Sequence, residues 1–225
     1  MPKLNTARNR LIGAALLVIA LAGCRTKGDI VLDEGVGITA VRTACPAVGV
    51  PDDTGDVTLF RTPGATDAAS IDVTASLTNL RTQCSNGDMK SVGDKVYSVS
   101  NFDILGRRTD TRGARSVQVP YFVTVLRGRS AVISKRIGTV TLNFADGQER
   151  AQAHAQGAAF IDKAEATLPA DVRDAITRKR RAGDSDAAVD PLARPEVRTA
   201  VNRATFEVLI GFQLTQDQLK YNATR

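Results

Sequence analysis

The chain has 225 residues, a formal net charge of +6, no tryptophan and only 4% aromatic residues. The positive balance falls well short of the dense basic face a nucleic-acid binder needs, so nucleic acid is not expected as a partner. The scarcity of aromatics leaves no evident platform for stacking sugars, and the core must be built from Val, Ile, Leu, Ala and a few Phe.

Taken in order, the chain opens on Lys3, Arg8 and Arg10, followed by an apolar run from Leu11 to Gly23 without a charged residue. A basic start, a short apolar stretch and small residues are the layout of an export signal. The run is about a dozen residues, short of the roughly 20 that a spanning helix needs, so a retained signal-anchor helix is the weaker alternative. The stretch closes with Leu21-Ala22-Gly23-Cys24, which resembles the lipobox of bacterial lipoproteins. That resemblance implies that residues 1–23 are cleaved and that the Cys24 thiol carries a diacylglyceryl group. A second or third acyl chain would make the anchorage stable where one alone is marginal. It also implies sorting: Asp after the cysteine typically retains such proteins at the inner membrane, whereas Arg25 favours the outer membrane, facing the periplasm. Losing residues 1–23 removes three cations and no acid, so the +6 becomes +3.

Residues 24–56 read as a lipidated N-terminus and tether, with short extended pieces near Ile38–Val41 and a turn at Pro51-Asp52-Asp53-Thr54-Gly55. Cys45 and Cys84 remain once Cys24 is set aside. An even pair in an oxidising compartment suggests a disulfide. Two free buried thiols or a metal pair are the alternatives, and a single histidine in the chain makes a poor zinc site.

From 57 to 162 the pattern has period two, the signature of half-buried strands. Val57–Arg61, Ile71–Cys84, Val96–Leu105, Ser116–Leu126, Ala131–Phe144 and Glu149–Ile161 are the expected strands. Turns are expected at Ser85-Asn86-Gly87-Asp88 and, as a hairpin, at Ala145-Asp146-Gly147. Pro120 lacks a donor, which suggests an edge strand or a bulge, and such an edge could accept a partner strand. The pattern predicts a mainly β fold, an antiparallel immunoglobulin-like β-sandwich, with a barrel as runner-up.

Residues 163–225 are expected to add helices and a final strand packed on the sandwich. Thr167 is a candidate N-cap, Arg178-Lys179-Arg180-Arg181 a candidate last helical turn, and Gly183 its stop. A second helix is expected from Glu196 to Ala204. Strict alternation at Phe206, Val208, Ile210, Phe212 and Leu214 predicts a core strand, with a helix as the rival. The whole pattern, and GFQLTQDQLKYNATR in particular, is similar to a class of uncharacterised proteobacterial lipoproteins, a likeness that implies no particular activity.

No catalytic constellation emerges. There is no G-x-S-x-G elbow, Walker loop or H-E-x-x-H motif. His154 stands among Ala and Gln without partners in the sequence. Asp184, Asp186 and Asp190 have loosely calcium-like spacing, but Val189 and Pro195 stand where a calcium loop requires Gly and Glu. No metal site, no cofactor beyond the lipid on Cys24 and no enzyme activity are expected. Two basic clusters remain, Arg107, Arg108, Arg112 and Arg115, and Arg178, Lys179, Arg180 and Arg181. Each reads as a solvated face or as a contact to an anionic surface. The sequence thus favours a non-enzymatic binding or structural lipoprotein of the cell envelope, partnered by the membrane through its acyl chains and by an envelope protein. A lipid- or glycan-handling protein with a pocket between sheet and helices is the alternative.

Overall fold

A computed structural model describes residues 43–85, 93–181 and 183–225. The expected lipidation site Cys24, the pieces at Ile38–Val41 and most of the turn at 85–88 lie outside them. The described residues fall into two compact units, one within 43–178 and 189–225 and the other within 179–188.

Among the described residues the larger unit holds eight strands: β1 (Ala47–Gly49), β2 (Asp56–Phe60), β3 (Ile71–Ser85), β4 (Lys95–Arg108), β5 (Arg115–Arg127), β6 (Ala131–Phe144), β7 (Arg150–Asp162) and β8 (Phe206–Phe212). They form two four-stranded sheets, ordered β1-β8-β5-β6 and β2-β3-β4-β7. The fold is therefore mainly β and double-layered, as the alternation predicts. All pairings are antiparallel except that of β1 with β8, which is parallel.

One core lies between the sheets. β4 shows why: Val96, Ser98, Ser100, Phe102, Ile104 and Arg108 occupy every second position and are buried, while the residues between them are less so. The facing sheet contributes Val119, Val123, Val125, Val140, Leu142, Phe144, Val208 and Ile210. Each such side chain fully buried contributes about 1.5–3 kcal/mol. Gly106 and Gly157 let the layers approach. A Cβ on Gly106 would sit 2.5 Å from Leu142 Cδ1, and one on Gly157 2.7 Å from Val123 Cγ2.

The helices are an insertion between β7 and β8, followed by a C-terminal cover. After a single helical turn at Lys163–Ala166 come α1 (Ala170–Thr177) and α2 (Pro195–Arg203). These share a small apolar cluster of Ile176, Val197 and Val201. The last helix, α3 (Gln216–Thr224), starts with a capping box formed by Thr215 and Gln218. It is held to the β2 region by Asn222, whose amide donates to the carbonyls of Asp53 and Asp56, both at 2.8 Å.

Four local expectations are corrected. Pro120 lies on an interior strand, between β8 and β6, and the bulge that this strand carries falls at Val125–Leu126 and not at the proline. The β5–β8 register ends at Tyr121–Phe212, and the next contact is Gln213 N–H donating to the Pro120 carbonyl. The missing donor thus falls at the ladder's end. The 145–147 turn joins strands of different sheets rather than a hairpin pair. Thr167 does not cap α1: its hydroxyl donates to Lys163 O, and Pro169 stands at the N-cap. The helix also ends at Thr177, so the cluster from Arg178 onward is not its last turn.

Cys45 and Cys84 form a disulfide across a sequence separation of 39, linking the approach to β1 in one sheet with β3 in the other. The loop-entropy model assigns a closed loop of this size about 4 kcal/mol. The Cys45→Ser/Cys84→Ser chain should accordingly unfold at lower urea concentration than the oxidised protein, and reductant should move only the latter. Equal midpoints would show that the bond contributes nothing.

Candidate functional site

Two of the cations expected on the surface are buried. Arg108 is 1% exposed, because β4's alternation points it inward. Its Nε donates to Gln148 O (2.7 Å), Nη1 to Gly113 O (2.8 Å), and Nη2 to Thr111 O (2.6 Å) and Ala145 O (2.8 Å). The guanidinium also lies 5.4 Å from the centre of the Phe144 ring. A buried charge needs such saturation with acceptors. Arg108 is therefore corrected from a surface contact to an internal one.

Its neighbours in sequence are paired with acids. Arg107 meets Glu149, and Arg112 donates three bonds to Asp110, two from its guanidinium and one from its backbone N–H, which hold that carboxyl well below the usual carboxylate range. Arg115 Nη1 donates to Asp72 Oδ1 at 2.8 Å, joining β5 to β3 across the layers. The first basic cluster is thus a brace at one end of the sheets more than a free cationic face.

The second cluster divides between the two units. Arg178 belongs to the larger one, where its N–H closes α1 on Asp174 O. Lys179, Arg180 and Arg181 belong to the other. There Arg180 is 2% exposed with Nε 3.5 Å from Asp186, and Arg181 N–H donates to Asp184. Asp190 caps the following turn at Leu192 N. Each of the three acids with calcium-like spacing thus has a contact inside the protein. Among the described residues no cluster of His, Cys, Asp and Glu could hold a metal ion.

His154 has a partner that the sequence did not reveal: β4–β7 pairing sets it directly opposite Asp103, and the two are hydrogen-bonded. Bonds from Asn79 first and His154 second hold the Asp103 carboxyl below its ordinary value. The imidazole side chain is largely exposed on the outer sheet face.

Two features have the form of binding surfaces. A cleft of about 810 Å³ opens between β2, the 62–66 loop and α3. Phe60 and Tyr221 meet edge to face there with centroids 5.1 Å apart, and Thr58 on its wall has a buried hydroxyl without a hydrogen-bond partner among the described residues. The other feature is the free edge of β6. Its first seven residues, Ala131–Ile137, are all exposed, and Val132 (62%), Ile133 (53%) and Ile137 (63%) are the most exposed large apolar side chains among the described residues.

No protein-family model matches the chain, and no curated protein and no solved structure is similar to it. The fold itself defines the class, a disulfide-linked, double-layered β protein.

The Asp72–Arg115 bond makes stability depend on pH in a definite direction. The Asp72 carboxyl is lowered from its ordinary value of 3.8, first by the hydrogen bond from Arg115. A depressed folded-state value stabilises the fold above the unfolded-state value and loses that contribution as pH falls through the folded one. Urea midpoints measured from pH 6 down to pH 2 should therefore fall less steeply below about pH 4 for Asp72→Asn than for the native chain. An identical acid limb would show that the bond is not linked to folding.

Proposed function

We propose that the chain is an exported, lipid-anchored module of the bacterial cell envelope, held at the periplasmic face of the outer membrane, that works by binding rather than by catalysis. The observation that carries this reading is how the cysteines divide. Cys45 and Cys84 are joined in a bond that persists in oxidising compartments. That leaves Cys24 alone, at the end of the apolar run from Leu11, preceded by Leu21-Ala22-Gly23. The double-layered β fold suits a binding module, and the immunoglobulin-like comparison is proposed for its layering.

A second reading, a lipid- or glycan-handling lipoprotein, is favoured by the cleft beside α3. Its aromatic pair, threonines and two cations, Lys220 and Arg225, offer both apolar and polar contacts. Native mass spectrometry of the full chain would then show a co-purified lipid or sugar that is lost on Tyr221→Ala. A ligand-free spectrum for the native chain counts against this reading.

The anchor is tested by membrane fractionation and intact mass. The native chain should sediment with outer membranes and lack residues 1–23, with a mass increase for acyl chains. Cys24→Ala should show no acyl mass. A native chain that keeps residues 1–23, or a Cys24→Ala chain indistinguishable from it, would contradict the anchor.

A further inference from the structure

We propose that the free edge of β6 binds an extended, acidic segment of a partner protein by strand addition. The proposal deepens the binding-module reading by naming the partner's chemistry, and it does not depend on the lipid anchor.

The edge is open along a definite stretch. Among the described residues β6 pairs only with β5, and no described strand lies on its other side. Gln213 N–H bonds to Pro120 O, which fixes the Pro120 backbone toward β8. Antiparallel alternation then sets Tyr121 toward β6 and its partner Gly138 toward β5. By the same alternation the amides and carbonyls of Lys135, Ile137 and Thr139 point away from β5, and they have no backbone partner among the described residues. An incoming strand would satisfy them.

The side chains along this edge say what would bind. Between Arg127 and Gly138 there are four cations and no acid. Arg127 faces Glu165 and Arg129 faces Glu207, at 3.5 and 3.6 Å. Lys135 and Arg136 are exposed and have no ion pair among the described residues, and Lys135 Nζ lies 5.2 Å from the centre of the Phe122 ring. Edge strands are often guarded by charged side chains, lysine above all. A guard does not require Val132, Ile133 and Ile137 to stand beside it in water.

Those residues write the complement. Opposite Lys135 and Arg136 the incoming strand needs two adjacent acids, because neighbouring residues face opposite sides of the sheet. Opposite Ile137 on one side and Val132 and Ile133 on the other it needs apolar residues. A second copy of the same edge would bring cations against cations. A lipid surface would leave the outward amides without acceptors in its apolar layer. The acidic extended segment meets both requirements.

The test uses the full chain in detergent and two synthetic peptides, Thr-Val-Glu-Glu-Ser-Val-Val-Thr and its Lys-Lys counterpart, both acetylated and amidated. Hydrogen exchange is read by mass spectrometry. The acidic peptide should slow exchange over residues 131–139 by roughly tenfold or more, and the basic one should not. In the Lys135→Glu/Arg136→Glu chain the preference should reverse, a rescue that a misfolded variant would not show. Protection of 131–139 by both peptides alike, by neither at millimolar concentration, by raised protein concentration alone, or by phosphatidylglycerol vesicles without peptide would each overturn the proposal. Fractionation reads the anchor and not this edge, so the two readings fail separately.

Discussion

The guanidinium of Arg108 is the constraint on which the two-layer arrangement depends. The chain passes between sheets at 109–114, from β4 to β5, and at 145–149, from β6 to β7. Arg108 donates to two carbonyls of the first connection and two of the second. The connections also bond to each other, Gly113 N–H to the Asp146 carboxylate at 2.6 Å and Gly147 N–H to Thr111 O at 2.9 Å. Backbone that leaves a sheet loses its ladder partners, and its carbonyls must find others. One side chain with five N–H donors supplies them at both crossings.

This corner organises what lies on either side of it. Gly106, two residues earlier on β4, brings the layers into contact against Leu142, and Phe144 packs under the guanidinium. Asp72 and Arg115 add a bond between β3 and β5 at the same end. β6 therefore has two unlike halves. Val140, Leu142 and Phe144, near the corner, are buried, whereas Ala131–Ile137 runs out beyond the core. A strand rooted firmly at one end can hold its other end extended without covering it, and that geometry leaves the edge open.

Much of the fold was legible in the sequence, because period-two alternation is a direct record of which face is buried. β6 matched its expected bounds, and β7 and β8 departed from theirs only at the ends. Partnership was less legible. The sequence gives no sign that the turn at 145–147 leads into another sheet, that β1 runs parallel to β8, or that His154 stands opposite Asp103. Those depend on long-range pairing. The Arg108 role had left a signal: it is in phase with Val96, Phe102 and Ile104, while Arg107 is not. The charge of the dipeptide masks that phase. The free edge was anticipated in kind but on the wrong strand, since a proline marks a missing donor and not which side of the strand is unpaired.

The most direct test of the account is equilibrium unfolding in urea of Arg108→Met beside Arg112→Met. Arg108→Met removes a buried cation and its four bonds to the carbonyls of the two connections, which should cost about 3 kcal/mol. Arg112, exposed and paired only with Asp110, should change stability by no more than about 0.5 kcal/mol. Arg108→Lys should recover only part of the loss, because an ammonium cannot span both crossings as the planar fork does. If Arg108→Met unfolds within about 0.5 kcal/mol of the native chain, the crossings are held by something other than this side chain, and the account is contradicted.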